Sequence, residues 1–399
     1  MTPPPRRPPR PSAGIPAHAA RRGSRWPGAR RAARRRRRLA LVGTVVVLGL
    51  VAWLVASSGS PAPRQPSRTA SDARRAPSGS GTQLAVSMAR WHLPAPLSRA
   101  GAVPLADGRV LLVGGLLGSG SSSADVGVLD TATGRLTSVS SLVSPTHDAG
   151  ITAVGGRVLV FGGGQSTPTA TVQALPVPAG PTPSGGAVVT GQLPQVRADD
   201  EAVTIGQTAY VVGGYDGAVG DAPVLATRDG ATFTTVATLP VAVRYPAVTA
   251  LGGSIYVFGG ESERGGTTAQ YSTPAGSTTP PPGQQVAVAQ EINPRTHGAR
   301  VVGYLPHAVQ GAAAFVLGGT IFLAGGDSNA PGTPPSSGTT IWSFDPKSGA
   351  FRVAGHLAAP VAYAAVAVSK GTVWLVGGER DGVAVTSAQR IVLRAARRT

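Results

Sequence analysis

Six times along this 399-residue chain a short apolar run ends in two adjacent glycines. The runs are RVLLVGG at Gly114-Gly115, RVLVFGG at Gly162-Gly163, TAYVVGG at Gly213-Gly214, SIYVFGG at Gly259-Gly260, TIFLAGG at Gly325-Gly326 and TVWLVGG at Gly377-Gly378, at intervals of 48, 51, 46, 66 and 52 residues. Recurrence at this spacing outranks local propensity as evidence for architecture. Some seven residues before each pair stands a turn dipeptide: Asp107-Gly108, Gly155-Gly156, Gly206-Gln207, Gly252-Gly253, Gly318-Gly319 and Lys370-Gly371. Two-residue turns between β-rich runs need positive φ, which these residues supply, so each unit opens as a hairpin.

A third run follows, with aspartate near its end at Asp130, Asp229 and Asp345. Then come a turn, a large apolar residue (Leu136, Phe233, Phe351) and an exit such as ATLP ending at Pro240. Four strands in about fifty residues, a terminal Gly-Gly and the aromatics Tyr210, Tyr256, Phe322 and Trp374 ahead of it resemble the kelch repeat. The resemblance covers residues 84–395 and implies an all-β, six-bladed kelch-type β-propeller. It is weaker in the fourth strand, where most units lack the family's tryptophan. Leu84–Leu97, with Trp91, reads as an orphan fourth strand. Paired with Ile391–Leu393 it would complete the last blade and cover an exposed edge. Insertions rich in Pro, Gly and Thr lie at Gly265–Gln285 and Ser328–Thr340, and the second unit (Gln165–Pro194) is degenerate.

Charge divides the chain. Residues 1–38 carry thirteen arginines and no acid, while the rest holds 23 basic and 18 acidic residues. Residues 1–38 read as a disordered Arg/Pro-rich tail that sets topology; without periodicity or aromatics beyond Trp26 it has no base-reading device, and nucleic acid is not an expected partner. Leu39–Ala56 is eighteen residues without charge, enough for a transmembrane helix of roughly 27 Å. The arginines on its near side put the N-terminus in the cytoplasm and the rest outside. Cleavage at a small-residue site made by Ala56 and Ser58, giving a secreted protein, is the alternative. Residues 57–83 read as a Ser/Pro/Ala-rich spacer, and 396–399 as a basic end. The abundance of Ala, Gly, Pro and Arg points to a GC-rich, bacterial genome. With no cysteine, disulfides, thiolate metal sites and cysteine nucleophiles are excluded.

No catalytic signature stands out: there is no H-E-x-x-H, G-x-S-x-G or P-loop. The cysteine-linked tyrosine of galactose oxidase, a kelch enzyme, has no counterpart. TRDGATF (Thr227–Phe233) is one residue short of a sialidase Asp-box and reads as turn chemistry. The histidines, His297 among them, lack metal-ligand spacing. No cofactor, metal or catalytic residue is assigned.

Counting fifteen residues back from the first glycine of each pair gives Arg99, His147, Ala198 beside Arg197, Arg244, Gln310 and Ala362 beside Tyr363. By the kelch resemblance this position opens the innermost strand at the mouth of the axial channel. Arg99, His147, Arg197, Arg244, Gln310 and Tyr363 are therefore the candidate ligand-binding residues. Guanidinium forks there would suit a carboxylate or phosphate. Alternatively the arginines bond backbone carbonyls of the next blade, or are neutralised by the acids of RADDE (Arg197–Glu201) and by Asp148. A third reading makes Asp199, Asp200 or Glu201 a general acid or base, since kelch-type sialic-acid epimerases host such chemistry. The expectation is a membrane-anchored extracytoplasmic module binding a protein, peptide or glycan, acidic ones included. The alternative is an enzyme acting on an acidic sugar or small molecule at the mouth.

Overall fold

The computed structural model describes residues 82–179, 185–262, 284–328 and 336–395. The expected tail (1–38), membrane span (39–56), nearly all of the spacer (57–83), most of both insertions and residues 396–399 lie outside the described residues. No described helix is long and apolar enough to cross a membrane.

The described chain is all-β, with six four-stranded antiparallel sheets. They open on Gly101–Pro104, Gly150–Val154, Glu201–Ile205, Ala247–Leu251, Ala313–Leu317 and Ala365–Ser369. Each first strand pairs with the run that ends in Gly-Gly. In five sheets the connecting turn has two residues, as in Val154 opposite Arg157 and Leu251 opposite Ser254. The first sheet differs. Pro104 faces Val110 and the Leu105 N–H donates to the Arg109 carbonyl, so three residues, Ala106–Gly108, form its loop.

The sixth sheet is built from both ends of the described chain. Its strand order is Ala365–Ser369, Thr372–Val376, Ser387–Ala395, then Thr82–His92. Leu84 lies opposite Leu393 and Val86 opposite Ile391, the pairing expected from the orphan strand. That strand begins at Thr82, inside the stretch assigned to the spacer, and ends at His92. Trp91 packs on Trp374 at 5.8 Å and donates from Nε1 to the Thr131 carbonyl of the first sheet.

The first strands of consecutive sheets touch in order, and the sixth returns to the first. The core follows this cycle: each of six apolar clusters lies between two neighbouring sheets, and none is central. A sheet covered on both faces needs apolar residues in succession rather than in alternation. That is why Val110–Val113 and Ser254–Phe258 are buried throughout, whereas the fourth strand Ala350–His356 is largely open. Three buried glutamines fasten the links between sheets. Gln173, Gln290 and Gln389 each accept from the backbone N–H and donate to the carbonyl of one residue, Ser144, Val241 and Ala359 respectively. They occur in the second, fourth and sixth sheets. A bidentate amide in a dry interior satisfies two backbone groups at once.

Candidate functional site

Just before each first strand stands one residue with φ between 51° and 60°: Arg99, Asp148, Asp199, Tyr245, Gly311 and Tyr363. Their backbones form a closed cycle of hydrogen bonds. The N–H of Arg99 donates to Tyr363 O (3.0 Å), Tyr363 to Gly311 O (2.7 Å), Gly311 to Tyr245 O (3.1 Å), Tyr245 to Asp199 O (2.9 Å), Asp199 to Asp148 O (2.8 Å) and Asp148 to Arg99 O (3.3 Å). Left-handed φ at non-glycine residues costs about 1–2 kcal/mol each, and five of the six ring members are not glycine. Here the conformation turns every amide toward its neighbour, so the cost is met by a bond that the regular strand could not make.

The paired glycines make a second cycle outside the first. The N–H of the second glycine donates to the carbonyl two residues before the next sheet's ring position: Gly115 to Thr146, Gly163 to Arg197, Gly214 to Val243, Gly260 to Val309, Gly326 to Val361 and Gly378 to Leu97, all at 2.8–2.9 Å. The same carbonyl presses on the first glycine. A Cβ on Gly213 would stand 2.6 Å from Val243 O, at a φ of +69°. Gly-Gly is thus the only dipeptide that lets adjacent sheets close up here.

Side chains converge on the inner ring. Arg99 donates from Nε to Glu379 (2.6 Å) and from Nη1 to Asp148 (3.1 Å), with its guanidinium 4.1 Å from the Tyr363 ring centre and 5.2 Å from that of Tyr245. Arg244 pairs with Glu261 (2.7 Å) and lies 3.7 Å from Asp199, between Tyr215 and Tyr245. Tyr215, Arg244, Tyr245, Arg99 and Tyr363 therefore alternate as ring and cation, an arrangement favoured by the quadrupole of each aromatic face. His147 Nδ1 is 2.8 Å from Ser122 Oγ. Asp327 is buried nearby and accepts from Ser337 Oγ at 2.7 Å.

Beneath the ring lies a cavity of about 550 Å³, walled mainly by Ala, Val, Thr and Ile of the first strands. Its titratable side chains are Arg99, Asp148, Asp199, Asp200, Glu201, Tyr245 and Tyr363. Burial raises the carboxyls. Asp199 is pushed up to about 7 by burial and by Asp148, against the pull of Arg244. Glu201 is reached by solvent from the lumen but enclosed by protein, and burial with Asp148 pushes it up to about 8. Asp148 and Asp200 are raised by the same loss of water, with Arg99 and Arg197 respectively opposing the shift.

Of the residues singled out by counting, Arg99 and Tyr363 line this cavity. His147, Arg244 and Gln310 each precede a ring member. Arg197 does not line the mouth: it is 1% exposed, donates to the carbonyls of Gly213 (2.8 Å) and Pro223 (3.2 Å), and lies 3.4 Å from Asp221. For Arg99 and Arg244 the geometry matches the alternative in which Asp148 and the acids of RADDE neutralise the guanidinium groups. Arg99 and Arg244 face Asp148, Asp199, Glu261, Asp327 and Glu379, so acids outnumber bases. The ring residue stands fifteen positions before the first glycine of the pair in the first sheet and fourteen before it in the other five, because the first hairpin loop is a residue longer. The residue after each Gly-Gly (Leu116, Gly164, Tyr215, Glu261, Asp327, Glu379) bridges to the residue before the ring member and carries three of these acids.

No protein-family model and no curated protein matches this chain. Solved structures do. One, the structure of YjhT, is similar over 76% of this chain and 99% of its own length, with a TM-score of 0.62 and 16% identity. At that identity the likeness speaks for the fold alone.

Proposed function

We propose that this chain is a six-bladed kelch-type β-propeller, anchored by residues 39–56 with the propeller outside the cell, and that it acts as a binding module through the ring. The cyclic contacts of the six sheets, the Gly-Gly period and closure by both ends support the architecture. The observation that carries the binding reading is the convergence of Arg99, Arg244, Tyr215, Tyr245 and Tyr363 with five carboxyls around one opening. Concave sites with a few fixed polar groups and aromatic faces are the usual seats of ligands. Because acids outnumber arginines, the favoured ligand is a peptide or glycan without surplus negative charge.

The test is binding of the full-length protein to arrays of neutral, basic and acidic peptides and glycans, with Tyr363→Ala and Arg99→Ala alongside. Binding to neutral or basic members that Tyr363→Ala abolishes is expected. Selective binding of acidic members, lost in Arg99→Ala, would return the ligand to the anionic class. A second reading, an enzyme at the mouth, has one observation in its favour: Asp199, raised to about 7, is poised for proton transfer near neutrality. Turnover of an array member, abolished by Asp199→Asn with binding kept, would establish it.

A further inference from the structure

Where the first two sheets meet, a relay of three side chains runs from a loop of the first to the ring. Ser122 Oγ lies 2.8 Å from His147 Nδ1, and His147 Nε2 lies 3.6 Å from Asp148 Oδ2. Each member is held through its backbone. The Leu117 N–H donates to Ser121 O and the Ser123 N–H to Gly115 O, His147 and Gly164 exchange N–H···O bonds, and Asp148 belongs to the ring. Ser122 is half-buried, and 19% of the His147 side chain is open to solvent. The other sheets carry Ser98, Ala198, Arg244, Gln310 and Ala362 where the second has His147, so closing the sheets does not require an imidazole there.

The contacts also set the tautomer. A carboxylate beside Nε2 draws the imidazole proton to that nitrogen and leaves the lone pair on Nδ1, facing the hydroxyl. Arg99, 3.1 Å from the same Asp148 oxygen, favours the carboxylate form. The Ser122 hydroxyl has a second acceptor in the Gly164 carbonyl at 3.2 Å, but its closer approach is to Nδ1. We propose that Ser122 is a nucleophile with His147 as its general base and Asp148 as the positioning residue, and that it hydrolyses a small uncharged carboxylic ester. The two ring nitrogens trade places relative to the serine-protease triad, and the three roles stay the same. Ser122 Oγ attacks the ester carbonyl carbon, the carbonyl π pair moves onto its oxygen, and Nδ1 takes the hydroxyl proton. As the carbonyl re-forms, the bond to the alcohol breaks with its electron pair, and the imidazolium returns the proton to the alcohol oxygen. Water then repeats the sequence on the acyl-serine, releasing the acid and restoring the hydroxyl. The carboxyls around the opening disfavour an anionic ester. This activity goes beyond the binding reading of the ring and does not depend on it.

Full-length protein in detergent micelles is treated with para-nitrophenyl acetate and, separately, with a fluorophosphonate whose adduct is located by peptide mass spectrometry. The expected adduct is on Ser122. Ser122→Ala removes both adduct and turnover, and His147→Gln slows both by about a hundredfold or more. Ser121→Ala, at the exposed neighbour, changes neither. Asp148→Asn lowers kcat with KM kept, which a loosened mouth alone would not do. Because the chain has no cysteine, Ser122→Cys installs a single thiol. Its alkylation by iodoacetamide is expected to run at least about tenfold faster than in Ser122→Cys/His147→Gln. That comparison reads the activation without any ester and stands even if Ser122→Ala melts early. A fluorophosphonate adduct absent from Ser122, ester turnover unchanged in Ser122→Ala, or equal alkylation with and without His147 would each overturn the proposal.

Discussion

Gly213 and Gly252 separate two reasons for a glycine. Both have positive φ, +69° and +62°, but a Cβ on Gly213 would meet the Val243 carbonyl, whereas one on Gly252 would meet nothing within 4 Å. Gly252→Ala is expected to cost about 1–2 kcal/mol, the price of the left-handed backbone alone. Gly213→Ala should exceed about 3 kcal/mol, because the next sheet must also move; urea melts of both variants measure the difference. Arg197 offers a second residue-scale test. Its buried guanidinium lies beside Asp221, so Arg197→Leu strands that acid and is expected to lose about 3–5 kcal/mol. Arg197→Leu/Asp221→Leu should recover most of it in the same melts. The sequence left Arg197 between two readings, a ligand group at the mouth and a donor to backbone carbonyls of the next blade, and its bonds to the Gly213 and Pro223 carbonyls are those of the second.

Strands and turns are the scale at which sequence and structure agree most closely. Five hairpins follow from their dipeptides, because a two-residue turn requires positive φ and little else. Asp130, Asp229 and Asp345 cap the outer turns: Asp130 accepts from Ala132, Asp229 from Ala231 and Asp345 from Lys347. Asn293 does the same with Arg295, and His297 takes the positive φ that glycine holds at Gly134 and Gly349. The glutamine clamps were not legible. One glutamine in an apolar run such as VAVAQEI reads as any polar strand position, and its partner is a backbone amide 49 residues away. Gln290→Leu leaves the Val241 N–H and carbonyl without that partner, and a loss of about 2–3 kcal/mol is expected. Thermal denaturation of the variant, with Gln290→Asn as a shorter amide, measures it. The ring itself was nearly in view, displaced by the one-residue difference in a single loop.

The whole molecule carries two opposed sets of carboxyls. Asp199, Glu201 and Asp221 are raised to about 7, 8 and 6, so the folded state holds their protons more tightly than the unfolded chain does. Their contribution is favourable at low pH and is lost as pH rises from about 4 through these values. Asp229 is lowered to about 2 by the Thr232 and Ala231 amides of its turn, and Asp130 and Asp345 are also lowered. Their stabilisation is present above about 4 and fades as pH falls toward 2. Maximum thermal stability is therefore expected near pH 4–5, declining toward pH 8. A melting temperature that rises steadily from pH 5 to pH 8 would contradict the buried assignments, and Asp199→Asn should flatten the decline below pH 7.

The union of Thr82–His92 with Ser387–Ala395 also sets a timetable. The first described strand to leave the ribosome is the last to find its partner, since Ser387 follows roughly 300 residues later. At about 5–20 residues per second, that interval is roughly 15–60 s. Through it the strand's backbone edge awaits Ser387–Ala395, and five sheets can assemble in order but cannot join into a circuit. A holdase that shields this unpaired strand edge during synthesis would act on the stage at which the circuit is still open.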